Sequence, residues 1–352
     1  MRIGVIGAGS IGQLRAQSVT KNPAATLVAV VDPVSASAER AVAGTGAVAL
    51  TSTSELLSRD DLDAVIVSSP LPNHEEAVLS AYQRGLHVLC EKPLGSSVES
   101  ARRMLAAAQS ADRVLAVGFN HRYYPAIQFV KETIASGRIG ALDHVRIFGG
   151  HDGLANFKAD WQYKAPASGG GAMMDVGIHM TDLVRYLLGD IQEVCGVVSN
   201  RIWKVPGSED NAMAIFKTAA GLPVFYQACW TEWRGYGFYV DVYGETGMVR
   251  GYYAPMFNLL VTSDRPGGRR KRKMRFYPEI IIREKLKTWT STALLSFEAE
   301  LRDFQRMAAG ERGLTLADGE AGVRSVEVAQ AVYESSRTGG PVTLAPLPGS
   351  PA

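Results

Sequence analysis

Three side chains in this sequence have types and settings that suit proton transfer. Lys92 lies in "HVLCEKPL", where a short apolar run ends on a charged pair followed by proline. Asp175 and His179 lie in "GGGAMMDVGIHMTDLVRYLLG", four residues apart at the start of a helical pattern, so they share a face. A lysine shielded from water at a strand end can exchange protons near neutrality. A carboxylate beside a histidine sets the ring's tautomer and raises its basicity. Together, a cation, an imidazole and an acid can remove a hydroxyl proton and stabilise the developing alkoxide, as alcohol oxidation requires. Each residue also has a plainer reading: Lys92 as a solvated strand end, Asp175 as an N-cap, His179 as a half-buried helix residue. The segment lacks HExxH and contains no other His or Cys, so no metal is expected.

The elements that would hold these groups follow from periodicity. Short apolar runs ("RIGVIGAG", "TLVAVVD", "DAVIVSSP", "HVLCEKP", "RVLAVGFN") alternate with helical segments. Such alternation predicts a parallel sheet covered on both faces, a doubly wound α/β (Rossmann) domain over residues 1–122. "GAGSIG" at 7–12 fits G-x-G-x-x-G between the first strand and first helix. Gly7 permits the tight turn, Gly9 lets the backbone approach a pyrophosphate, and Gly12 lets helix and strand pack closely. Ala8, Ser10 and Ile11 complete the loop. Asp32 ends the second strand, 20 residues after Gly12. An acid there accepts hydrogen bonds from the adenosine ribose and repels a 2′-phosphate, which favours NAD over NADP. Strand ends on the same edge add Ser69, Pro70, Asn73, His74, Glu91 and Lys92 as cofactor contacts. Asn73 has a second reading as a helix cap, and His74 one as a helix-start residue.

Beyond residue 122 the rhythm changes to longer strands joined by turn signals. Residues 123–340 read as an α+β domain with a large, mostly antiparallel open sheet, and 341–352 as a loose tail. The triple glycine before Asp175 would let backbone lie close to a ligand. Arg122 and Tyr123 at the domain junction, Asn156 and Trp161 in a loop, and Tyr236 are candidate substrate contacts. Aromatic rings suit the apolar faces of sugar rings, although most aromatics pack cores.

A formal net charge of +2 points to no acidic or basic partner. The basic run at 269–275 reads as a solvated hairpin, with no nucleic-acid motif beside it. Three dispersed cysteines fit a reducing compartment, and no apolar run reaches the ~18 residues of a membrane span. The expectation is a soluble, cytoplasmic protein that binds neither nucleic acid nor membrane.

The motifs GAGSIG, Asp32, "SSPLPNHEEA", "EKPL", "GFNHRYYPA" and D-x-G-x-H-x-x-D occur in an order that resembles the glucose–fructose oxidoreductase and inositol dehydrogenase (Gfo/Idh/MocA) family. The match covers about the first 190 residues by motif and the rest by architecture. The resemblance implies an oxidoreductase acting with NAD or NADP on a hydroxyl of a sugar, sugar derivative or cyclitol. It implies Lys92 and His179 as the acid/base pair, Asp175 as the orienting acid and a cis Lys92–Pro93 bond. It also implies a homodimer or homotetramer packed through the second domain's sheet. Two alternatives stay open: a glycoside hydrolase using NAD for transient oxidation, and a non-catalytic dinucleotide-binding regulator. Retention of Lys92, Asp175 and His179 counts against the regulator.

Overall fold

A computed structural model describes residues 1–157 and 159–346; of Asn156, only the backbone lies within the described part. The chain forms two compact units, one of Met1–Tyr123 with Arg283–Val326, the other of Tyr124–Ile282 with the chain from Glu327.

The first unit is built on a seven-stranded sheet. Its strands are β1 (Arg2–Ile6), β2 (Thr26–Val31), β3 (Val48–Leu50), β4 (Ala64–Val67), β5 (His87–Glu91) and β6 (Leu115–Gly118), ordered β6-β5-β4-β1-β2-β3 and all parallel. Strands β4 and β6 are buried at every residue, as expected of a sheet covered on both faces. The order reverses beside β1, so the C-terminal ends of β1, β2 and β4 border one crevice, the usual ligand edge of such sheets.

Residues 283–326 were expected in the second domain, but they belong to this first unit. The helix Thr290–Ala308 packs along the helix Ser10–Lys21. Leu301 and Phe304 are fully buried in one core with Val5, Ala16, Val19 and Leu89. Burying two such side chains contributes about 1.5–3 kcal/mol each. Ala317–Asp318 then adds the seventh strand, antiparallel to β6. An amphipathic pattern shows that a helix seeks a core, but not which core.

The second unit carries a nine-stranded sheet. Its main strands are β7 (Leu142–Gly150), β8 (Ile191–Ser199), β9 (Asn211–Thr218), β10 (Pro223–Cys229), β11 (Gly237–Gly244), β12 (Gly247–Tyr253), β13 (Phe257–Thr262) and β14 (Lys271–Phe276). All neighbours pair antiparallel except β7 and β10, which are parallel. One face is apolar and buried, with Val194, Phe216, Val224, Val145, Val240 and Val249 along it. The helices Pro125–Ala135 and Ile178–Leu188 pack in this unit against β12 and β7. The opposite face is open. The basic run forms β14, a fully exposed edge strand, as the hairpin reading anticipates. The first part of the predicted loose tail is ordered: Val342–Thr343 pairs with β8, and the Leu344 N–H donates to the Gln192 carbonyl at 2.8 Å. The edge backbone groups of β8 recruit that segment. Residues 347–352 lie outside the described residues. Among the described residues, no helix is long and apolar enough to cross a membrane.

Candidate active site

The glycine loop leaves β1 and opens the helix Ser10–Lys21. Gly7 has φ +93°, and a Cβ there would lie 2.5 Å from the Ser69 nitrogen. A Cβ on Gly12 would fall 1.9 Å from the Gly7 carbonyl oxygen. These two glycines are therefore required by packing. Gly9 differs: a Cβ on it would meet no protein atom within 4 Å. The helix has no side-chain cap and no acid in its first turn, so its leading N–H groups face outward beside exposed Gly9 and Ser10. Asp32 accepts hydrogen bonds from the Ala8 N–H at 2.8 Å and the Val34 N–H at 2.9 Å. It braces the loop, and its carboxylate keeps further lone pairs for a ribose. Gln13, a residue that the sequence reading missed, bridges the Ala8 and Ser37 carbonyls at 3.0 and 2.7 Å. The hydroxyls of Ser68 and Ser69 are buried without a hydrogen-bond partner among the described residues. An open Gly9 cradle, uncapped N–H groups and two orphaned hydroxyls at the β4 end fit a dinucleotide.

Two expected cofactor contacts, His74 and Glu91, are engaged by the protein itself, and Asn73 does not take its alternative role as a cap. His74 is 2% exposed, with Nε2 at 3.0 Å from the Ser69 carbonyl and Nδ1 at 3.1 Å from that of Pro93. Both ring nitrogens face backbone carbonyls and the neutral ring donates to one of them, so His74 braces the loops after β4 and β5 and turns neither nitrogen to a cofactor. Burial lowers its pKa, against the pull of the carbonyls. Asn73 is exposed and makes no capping bond. Glu91 is held by Arg15. Lys92 follows at the strand end, half-buried, and the Lys92–Pro93 bond is cis. Near it, His121 is buried; burial first, and then the Lys92 charge, push its pKa down to about 3.

Arg122 and Tyr123 are also corrected. The Arg122 guanidinium is buried and donates to the Thr315 carbonyl at 3.2 Å. The Tyr123 hydroxyl donates to Asp303 at 2.8 Å, and burial pushes its pKa up. Both tie the turn after β6 to the returning segment of the first unit, so neither is placed to meet a substrate. Their partners lie more than 170 residues away in sequence, beyond any local signal.

In the second unit, Asp175 sits in a π-helical turn, Met173–Gly177, that leads into the helix Ile178–Leu188. Its Oδ2 accepts from His151 Nε2 at 2.7 Å and from Trp230 Nε1 at 3.1 Å. The Gly153 N–H donates to His151 Nδ1 at 3.0 Å, which leaves the ring proton on Nε2. His151 follows the end of β7, and nothing in the spacing links it to Asp175. His179, one turn on, is buried. The triple glycine serves packing here. The Gly171 and Met173 N–H groups donate to the buried Glu209 carboxylate at 2.8 and 2.7 Å. A Cβ on Gly170 would strike the Tyr333 hydroxyl at 2.0 Å, and one on Gly177 the Tyr226 hydroxyl at 2.3 Å. Trp161 and Tyr236 are 38% and 42% exposed and so stay accessible. Among the described residues, no cluster of His, Cys, Asp and Glu could hold a metal.

This fold and dinucleotide cradle define a nucleotide-dependent oxidoreductase architecture. Residues 1–119 match the family model described as oxidoreductase family, NAD-binding Rossmann fold, and 127–250 match the GFO/IDH/MocA C-terminal domain. The chain belongs to the Gfo/Idh/MocA family of oxidoreductases. It is 34% identical to a 1,5-anhydro-D-fructose reductase of Ensifer adhaerens, over 71% of this chain and 75% of that one. It is 30% identical to an inositol 2-dehydrogenase of Rhizobium meliloti, over 71% and 74%. Levoglucosan dehydrogenase in complex with NADH shares the fold, with TM-score 0.85 at 22% identity over 99% of this chain and 100% of that one. A structure described as a putative myo-inositol dehydrogenase from Sinorhizobium meliloti superposes with TM-score 0.78 at 26% identity, over 98% and 100%.

Proposed function

We propose that the protein is an NAD-dependent oxidoreductase acting between a secondary hydroxyl, or its ketone, of a sugar, sugar derivative or cyclitol and the nicotinamide. The observation that carries this reading is the cradle: an open Gly9 beside uncapped helix N–H groups, with Asp32 at the end of β2. The substrate class is supported by relatives named for anhydrofructose and inositol. When bound, the nicotinamide supplies the hydride acceptor or donor. The loop Gly7–Ile11 and the first-turn N–H groups hold the pyrophosphate. Asp32 receives the ribose hydroxyls and disfavours a 2′-phosphate, hence NAD over NADP. Lys92 holds the reacting oxygen and stabilises its developing charge. His179 takes or returns the hydroxyl proton, and Asp175, anchored by His151 and Trp230, orients His179 or the substrate. Asn156, Trp161 and Tyr236 remain candidate substrate contacts. The open face of the nine-stranded sheet is the proposed surface for a homodimer or homotetramer.

A screen of sugars, sugar nucleotides and inositols, followed by NADH absorbance, tests the reading. With the best substrate, Lys92→Ala and His179→Ala should each lower turnover at least about a hundredfold while NAD binding persists. Near wild-type turnover in both would overturn the assignment, and faster turnover with NADP would overturn the cofactor preference. Aglycone released from glycosides with no net NADH would favour transient oxidation instead.

A further inference from the structure

We propose that Arg15 and Glu300 are positioning residues for Lys92, acting through Glu91. The inference rests on the reading of Lys92 as the ligand of the reacting oxygen.

Arg15 lies in the helix that opens at the glycine loop, and its side chain is 1% exposed. Its Nε donates to Glu91 Oε1 at 2.7 Å, and its Nη2 lies 2.6 Å from the same oxygen. Its Nη1 donates to Glu300 Oε2 at 2.7 Å, and the guanidinium lies over the Phe297 ring at 3.8 Å. Glu91 is the last residue of β5, joined directly to Lys92. One guanidinium therefore ties together the cofactor helix, the strand end that carries Lys92 and the helix Thr290–Ala308. Gly118 keeps the space clear, since a Cβ there would fall 2.5 Å from Arg15 Nη2.

Stability alone is a weak account of this cluster. Two carboxylates face Arg15, and the buried Arg122 guanidinium acts on Glu300 as well. A buried ion cluster is weak evidence for stability, because well-packed apolar residues often serve as well or better. Geometry is the better account: the planar guanidinium of Arg15 holds Oε1 of Glu91 on one side and Oε2 of Glu300 on the other. Besides Arg15 and Glu91, Glu300 faces Arg122 and Tyr123 from the turn after β6. Burial, opposed by Arg15, pushes the Glu300 pKa up to about 7, so its grip on Arg15 changes around neutral pH. Its Oε1 has no hydrogen-bond partner among the described residues.

Two readouts test this. The first needs no substrate: acetic anhydride labelling of Lys92 in the full chain, followed by peptide mass spectrometry. Arg15→Met should raise the Lys92 labelling rate at least about threefold, with exposed Lys285 unchanged as the control. The second is turnover of the screened substrate with NAD, from pH 6 to 8. The ratio of wild-type kcat to that of the isosteric Glu300→Gln should rise from near one to about three- to tenfold as Glu300 ionises, with NADH affinity unchanged. A flat ratio together with unchanged labelling overturns the inference. If Arg15→Met does not fold, Lys92 labelling in Glu300→Gln at pH 8 replaces it, with the same expectation. Lys92→Ala is measured alongside. Near wild-type activity there overturns the underlying reading and this inference together; an inactive Lys92→Ala with a flat ratio and unchanged labelling overturns only the positioning role.

Discussion

Asp32 has two tasks, and its substitution separates them. The carboxylate holds the Ala8 and Val34 N–H groups and, in the proposed function, also receives the ribose. Asp32→Ser should weaken NAD binding about tenfold and narrow the preference over NADP, measured by titration with both cofactors. Part of the change will appear as about 1–2 kcal/mol of lost stability, since two loop N–H groups lose an acceptor. His121 gives a pH signature. Its folded pKa of about 3 lies below the ordinary value of 6.5, so below pH 6.5 the unfolded chain takes up a proton that the folded chain refuses. Wild-type stability must then fall with acid, approaching about 1.4 kcal/mol per pH unit from this residue. His121→Gln should gain on wild type at that slope in denaturation midpoints from pH 6 to 4.5, and parallel curves would reject the idea. At this scale the proposed site residues Lys92, Asp175, His179 and Asp32 are marked in the sequence because each sits in a motif. His151, Gln13, Arg15 and Glu209 were not, because their partners are distant in sequence and no local pattern marks them.

At the scale of elements, glycine positions that look alike in a motif do different work. Gly9→Ala should keep its melting temperature, because the new methyl meets no protein atom within 4 Å, yet should lose NAD affinity at least about tenfold. Gly12→Ala should lose both, because its methyl would sit 1.9 Å from a backbone oxygen and must push helix from loop. Gly177→Ala should cost about 1–3 kcal/mol by forcing the π-helical turn off β10, and Tyr226→Phe in the double variant should recover part of that. Chemical denaturation of the four variants checks the set. The parallel sheet and its helices were readable from alternating periodicity. The triple glycine was readable as a special backbone site but not as a packing seam against Glu209 and Tyr333, since a run of glycines reports freedom and not its use.

At the scale of the molecule, the open face of the nine-stranded sheet is the surface of the proposed assembly. Val197 pairs with Met213, and Ile215 with Phe225; all four are exposed by 44–59%, and Met274 and Phe276 extend the face on β14. Arg146, Asp241 and Arg250 separate the two apolar patches, and exposed apolar patches of this kind suit the proposed interface. Ile215→Glu with Phe225→Glu should shift the particle to monomer in light-scattering chromatography, and a wild-type monomer at working concentration would reject the proposed assembly. The sequence by itself determined the two architectures and the glycine fingerprint, and it marked the proposed acid/base residues, because periodicity and short motifs are local properties of a chain. Only the tertiary structure decided that residues 283–326 return to the first unit, that Arg122 and Tyr123 lock that return, and that Glu91 belongs to a buried charge cluster. Those outcomes depend on which apolar faces and which charges meet across long stretches of sequence, a question of packing that no local pattern encodes.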